Sequence, residues 1–158
     1  MEQAAYHIDV NGFVVTISGD VVDFVGIGAA SYTGRVVLNG SEQNVVALAA
    51  NIDVDVNGSV RVGFPNGDYD YYYYYYETGL FAYGNLAVSG SLTVEDAEVA
   101  VYYSDPYDTG GEKGDIIVTG SLIVGEDAYV TASRDLRIDE GTVTMEDGEM
   151  SINRDIIV

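Results

Sequence analysis

Asp53-Val54-Asp55-Val56-Asn57-Gly58 sets three side-chain oxygen donors on alternate residues ahead of a glycine. That is the order in which the opening half of a calcium loop surrounds a hard cation. The pattern then stops, because Phe64 stands where such a loop needs a bidentate glutamate. Strand alternation offers the other reading, in which Asp53 and Asp55 share one solvated face with no ion. Asp105 and Asp108, with Glu112 and Asp115, form a second acidic loop open to the same two readings. In both places the solvated reading is favoured. The expectation is no cofactor, with calcium at Asp53, Asp55, Asn57, Asp105 and Asp108 as the exception to test.

Reaction chemistry has little else to stand on. The one histidine, His7, sits beside Asp9, and without a second histidine or any cysteine there is no triad or metal cluster to complete. Carboxylate pairs abound in so acidic a chain, so their proximity carries almost no information about general acid and base work. No glycine-rich phosphate loop precedes a helix, since no segment has helical periodicity beyond a turn or two across VVALAAN at 45–51. The chain is expected not to be an enzyme.

Aromatic chemistry is better represented. Tyr69 and the six consecutive residues Tyr71, Tyr72, Tyr73, Tyr74, Tyr75 and Tyr76 lie between Asp68 and Glu77. As a strand this tract carries rings on both faces, each ring seeking cover and each hydroxyl seeking water or a partner. A protein interface supplies both, and tyrosine gives large contact area at small entropy cost. A subunit interface is the leading reading, ahead of the chain's own core and a platform on which glycans stack.

The elements that would position these residues are strands. VDVNGSVRV at 54–62, LAVSGSLTV at 86–94 and IIVTGSLIV at 116–124 repeat one phrase: an apolar residue, any residue, Val, a small polar residue, Gly, Ser, an apolar residue, any residue, Val. From Gly114 the copies start twenty residues apart, with Asp115, Asp135 and Asp155 in one slot and Ile116, Leu136 and Ile156 in the next. Period-two alternation marks strands, and a unit of this length holds two or three short ones with tight corners at Gly90, Gly120 and Gly141. Copies of such a unit must stack to bury their apolar faces. Two tyrosine-bearing insertions, at about 64–83 and 102–113, interrupt the repeat. The chain stops inside a strand, at Ile156, Ile157 and Val158, and this bare end reads as a contact surface.

Residues 1–50 read as a less regular β region. Asn11-Gly12 predicts a two-residue hairpin turn pairing Val10 with Phe13, Ile8 with Val15 and Tyr6 with Ile17. Glycine breaks every eight to twelve residues then suggest a small sandwich or barrel. At Asn57-Gly58-Ser59 a hairpin opposing Val56 to Val60 competes with a corner at Gly58, and the shared Gly-Ser offset favours the corner. The expected fold is all-β: an N-terminal β-sandwich or hairpin region over 1–50, followed over 51–158 by a β-helix-like, oligomeric stacked repeat.

The chain has 158 residues, 47% of them hydrophobic, enough for a core in one domain or two small ones. Twenty-six acidic residues face six basic ones, Lys113 is the sole lysine, and the net charge is −20. Nucleic acid is an unsuitable partner for such a surface. Copies would repel one another at ordinary ionic strength, whereas at 1 M salt the Debye length is only about 3 Å. This balance is similar to that of proteins from salt-accumulating halophiles. No signal-peptide pattern opens the sequence and no apolar run approaches the ~18 residues of a membrane helix. Synthesis in the cytoplasm without membrane insertion is expected.

GNLAVSGSLTV and GDIIVTGSLIV resemble the glycine-cornered β-repeats of tailed-virus fibre, tail and capsid-decoration proteins, and less closely the polymer-forming β-helices of bactofilins. The first resemblance, which covers about 51–158, implies a homo-oligomer, a trimer or larger ring, that packs on other virion proteins at the virion exterior. With the charge pattern it implies a virus of a halophilic host. A bactofilin-like scaffold and a module binding host glycan are the alternatives.

Overall fold

The computed structural model describes residues 6–9, 14–18, 21–22, 25–28, 34–63, 78–102 and 114–158. Among them are only strands, turns and bends, with no helix, so 45–51 is not helical either. The first strands are β1 (Tyr6–Asp9), β2 (Val14–Ser18), β3 (Val21–Val22), β4 (Val25–Gly28), β5 (Arg35–Val45) and β6 (Ala47–Ala50). Next come β7 (Asp53–Val62), β8 (Gly79–Ala82), β9 (Leu86–Val88), β10 (Leu92–Val94), β11 (Glu98–Val101) and β12 (Ile116–Val118). The last are β13 (Leu122–Val124), β14 (Tyr129–Ala132), β15 (Leu136–Ile138), β16 (Val143–Met145), β17 (Glu149–Ile152) and β18 (Ile156–Ile157).

The strand pairs are all parallel among the described residues, and they form one seven-stranded and one eleven-stranded sheet. Consecutive strands do not pair with each other, and the fully described links between them are one to four residues long. Each strand pairs instead with its counterpart one copy along. Three columns result. The first runs β2, the front half of β5, the front half of β7, β9, β12, β15, β18. The second runs β3, the back halves of β5 and β7, β10, β13, β16. The third runs β1, β4, β6, β8, β11, β14, β17. The long strands β5 and β7 bend from the first column into the second, β5 with a bulge between Asn39 and Glu42.

Alternation decides what goes inside. In β9, β10, β12 and β13 the outer two residues of each three are buried and the middle one is half-exposed. Leu86, Leu92, Val94, Ile116, Val118, Leu122 and Val124 are fully covered and meet Leu80, Val99 and Val130 of the third column in one continuous core. Burying each such side chain stabilises the fold by about 1.5–3 kcal/mol.

Two expectations for the N-terminal half are corrected. The hairpin does not form: β1 and β2 lie in different sheets, with Ile8 in register with Ile27 and Val15 with Val36. Asn11-Gly12 itself falls outside the described residues. Register with the next copy wins because it sets Val15 and Ile17 against the common core, which a two-stranded hairpin could not offer. The antiparallel pairing that a sandwich implies is likewise absent among the described residues. The sheets run across residue 50 without a break, Val36 pairing with Val54 and Leu48 with Leu80. At 57–59 the corner holds, since Val56 pairs with Val88 and Val60 with Leu92, not with each other.

Candidate functional site

Two corners of the stack are held by side chains that reach one level along. At the corner between the first and second columns, Ser59 Oγ accepts the Ser91 N–H at 3.0 Å, Ser91 Oγ that of Ser121 at 3.1 Å, and Ser121 Oγ that of Thr142 at 3.2 Å. The glycines beside them stack backbone on backbone. A Cβ on Gly90 would lie 2.7 Å from the Gly58 carbonyl, and one on Gly141 2.3 Å from that of Gly120. The Gly-Ser of the repeated phrase therefore has a physical cause: glycine permits the approach and serine accepts the amide that the corner leaves over.

At the corner leading into the first column, Asp53 Oδ1 accepts the Asn85 N–H at 2.8 Å and Asn85 Oδ1 that of Asp115 at 3.1 Å. Asp115 Oδ1 then accepts the Asp135 N–H at 3.1 Å, and Asp135 Oδ1 that of Asp155 at 3.2 Å. Two arginines brace this ladder. Arg134 Nε lies 3.4 Å from Asp115 Oδ1, and Arg154 grips Asp135 through Nε at 2.7 Å and through Nη2. The Arg154 hydrogen bond, against the opposing pull of desolvation, holds the Asp135 carboxyl below its ordinary 3.8. The same bond raises the Arg154 guanidinium above its ordinary value.

The candidate calcium donors are distributed over these contacts. Asp53 belongs to the ladder, Asp55 faces Arg35 at 3.3 Å, and Asn57 donates to Asn39 Oδ1 at 3.4 Å. Among the described residues no three His, Cys, Asp or Glu side chains gather around a common point. Asp105 and Asp108 lie outside the described residues, as do Tyr69 and Tyr71 to Tyr76. The tyrosines that are described cluster along the third column. Tyr83, 41% exposed, and Tyr102 set their rings 5.7 Å apart, and the Tyr102 hydroxyl lies 3.4 Å from Glu98 Oε1.

The last strands differ from the interior ones. Val143, Met150 and Ile152 are only half-buried against the core, Met145 is 45% exposed, and Ile156, Ile157 and Val158 are 53%, 50% and 73% exposed. Among the described residues β16, β17 and β18 each pair on one side only. A shallow groove of about 210 Å³ lies on the outer face between β7, β9 and β12, lined by Asp55, Asn57, Ala87, Ser89, Ile117 and Thr119. It is smaller than the roughly 300–1,000 Å³ of ordinary ligand pockets. No helix among the described residues is long and apolar enough to cross a membrane.

The alternating Val and Leu and the glycine corners are visible in the sequence, and the recurring Asp slot is too. Its use as a backbone acceptor is not, because the amide it serves lies twenty or more residues away. An earlier copy, Asn39-Gly40-Ser41, repeats Asn57-Gly58-Ser59 eighteen residues ahead and marks β5 as part of the stack. No family model matches this chain, and comparison with curated proteins and with solved structures finds nothing similar.

Proposed function

We propose that the chain is a non-enzymatic structural protein that winds as a parallel β-helix and assembles with further copies of itself. The observation that carries this reading is the level-by-level repeat, in which each interior strand pairs in register with its counterparts on both sides and its apolar side chains are covered by those neighbours. The Tyr69 and Tyr71–Tyr76 tract serves as a further contact with neighbouring subunits. The setting is the exterior of a virion, as a capsid-decoration, turret, fibre or tail component, and it rests on the sequence resemblance and the −20 charge. At about 3 M NaCl, where charge repulsion is screened over a few Å, light scattering should give the mass of a multimer. At about 0.1 M NaCl the same protein should dissociate or unfold. A monomer at both salts would remove the assembly reading.

A second reading is a glycan-binding module. The exposed ring of Tyr83, paired with the half-buried ring of Tyr102 beside Glu98, favours it, since an aromatic face with a nearby carboxylate offers a stacking surface and a hydrogen-bond acceptor to a sugar. Binding on a glycan array that Tyr83→Ala abolishes, by a protein that stays monomeric, would select this reading.

A further inference from the structure

We infer that the outer face of the third column is a docking surface for an arginine-bearing segment of a basic partner protein. The inference goes beyond self-assembly and does not depend on it. It begins with where the aromatic side chains fall. Phe81, Tyr83, Tyr102 and Tyr129 lie on β8, β11 and β14 or on the residue just after them, and alternation sends all four outward, because Leu80, Val99 and Val130 fill the inward slots. Over the same levels the middle residues of the first and second columns, from Ala87 and Thr93 to Arg137 and Thr144, include no ring. The rings are therefore gathered on one of three faces.

Carboxylates share that face. Register sets Glu98, Tyr129 and Glu149 in the same slot of three successive levels. Neighbouring strands lie about 4.8 Å apart, so an acidic side chain flanks the Tyr129 ring on each side. Tyr129 is 49% exposed, and Glu98 Oε1 also lies 3.4 Å from the Tyr102 hydroxyl, whose ring stands 5.7 Å from that of Tyr83. Among the described residues neither Glu98 nor Glu149 has a basic partner, since Arg35, Arg61, Arg134, Arg137 and Arg154 each face an acid elsewhere.

This arrangement selects its occupant. The face of a tyrosine ring is negative and attracts a cation, and a planar guanidinium lies flat on it while its edge N–H groups reach carboxylates to either side. A lysine ammonium, compact and strongly hydrated, does not combine stacking with a two-pronged grip. A second copy of this chain is a poor source of the arginine. It brings the same −20 charge, and its described arginines face its own acids. Charge complementarity points instead to a different protein with a basic surface.

The test compares a short peptide of alternating arginine and glycine with a lysine–glycine peptide of equal length and charge. Both are titrated calorimetrically into the full chain at about 1 M NaCl, where a Debye length of about 3 Å suppresses diffuse attraction to the acidic surface. The arginine peptide should bind more tightly. Tyr129→Ser leaves the charge unchanged and should weaken that binding roughly 5–30-fold, the span for a cation on an exposed to a desolvated ring. Glu149→Gln should weaken it by a smaller factor. Glu140→Gln, the same loss of charge at the corner between β15 and β16, should alter it by less than about twofold. Equal affinity for the two peptides, or unchanged binding to both Tyr129→Ser and Glu149→Gln, would overturn the inference and leave only attraction to net charge. No binding of the arginine peptide would overturn it as well, and a neutral oligosaccharide bound in its place would give the face to the glycan reading. A chain that is monomeric by light scattering yet binds the arginine peptide through Tyr129 would support the inference while removing self-assembly.

Discussion

β13 and β16 hold the same place in the second column one level apart, yet Leu122 and Val124 are fully buried whereas Val143 is half-buried and Met145 is 45% exposed. Their sequences, LIV and VTM, differ little in pattern. What separates them is a neighbour: among the described residues β13 has a strand on each side and β16 has one. A side chain in a stacked fold is made interior by the next copy as much as by its own hydrophobicity. The edge strands are thus composed like the interior but are without its cover among the described residues.

The largest expected effect exposes that difference most directly. Leu122→Ala should cost about 2–5 kcal/mol in urea unfolding, as for other fully buried leucines. Met145→Ala at low salt should cost about 1 kcal/mol or less. If the Met145 variant becomes as costly at high salt as its interior counterpart, the edge has acquired a partner there. The glycine corners come next. Gly120→Ala would thrust a Cβ to 2.6 Å from Ser91 Oγ and 2.8 Å from the Gly90 carbonyl, and about 1–3 kcal/mol should be lost. Gly141→Ala meets backbone more closely, at 2.3 Å from the Gly120 carbonyl, so a cost below that of Gly120→Ala in urea unfolding would show that the last corner yields more easily than the interior one.

Smaller still is the serine ladder. Ser91→Ala removes the acceptor of the Ser121 N–H and should cost about 1 kcal/mol, whereas Thr142→Val, at the end of the same ladder, should be nearly neutral by thermal unfolding. The smallest effect is the one that acid removes. Asp135 is held below 3.8 in the fold, chiefly by the Arg154 hydrogen bond. Its stabilisation is complete above that value and is lost as pH falls through the lower folded one. Arg154→Gln should therefore lower stability slightly at neutral pH, with the difference from the parent fading as the solution is acidified through the folded value, and a difference that grew in acid would contradict the assignment.

Much of the repeat was legible because the same demand recurs at every level. Val and Leu at alternate positions are set by the strand in which they sit, and the Gly-Ser corner shows itself by recurrence although the contacts it serves lie one level away. The partners of β1 and β2 were not legible. Asn11-Gly12 expresses a local hairpin preference, and the winning register depends on Val36 and Leu38, some twenty residues away. The acidic donors show the same limit. Asp53 and Asp55 satisfy the spacing of an ion site, but the amide of Asn85 and the guanidinium of Arg35, which engage them, belong to other levels of the stack.

The three columns have a consequence for how the molecule comes apart. Each level touches only the one before and the one after, so opening need not be a single event: it can start at an edge and advance inward, one level freeing the next. Amide protons of β17 and β18 should exchange with solvent fastest, those of β14 and β15 more slowly, and those of β9 and β10 slowest. Such a gradient, running along the stack instead of from surface to centre, would be the kinetic signature of a one-dimensional crystal built within a single chain.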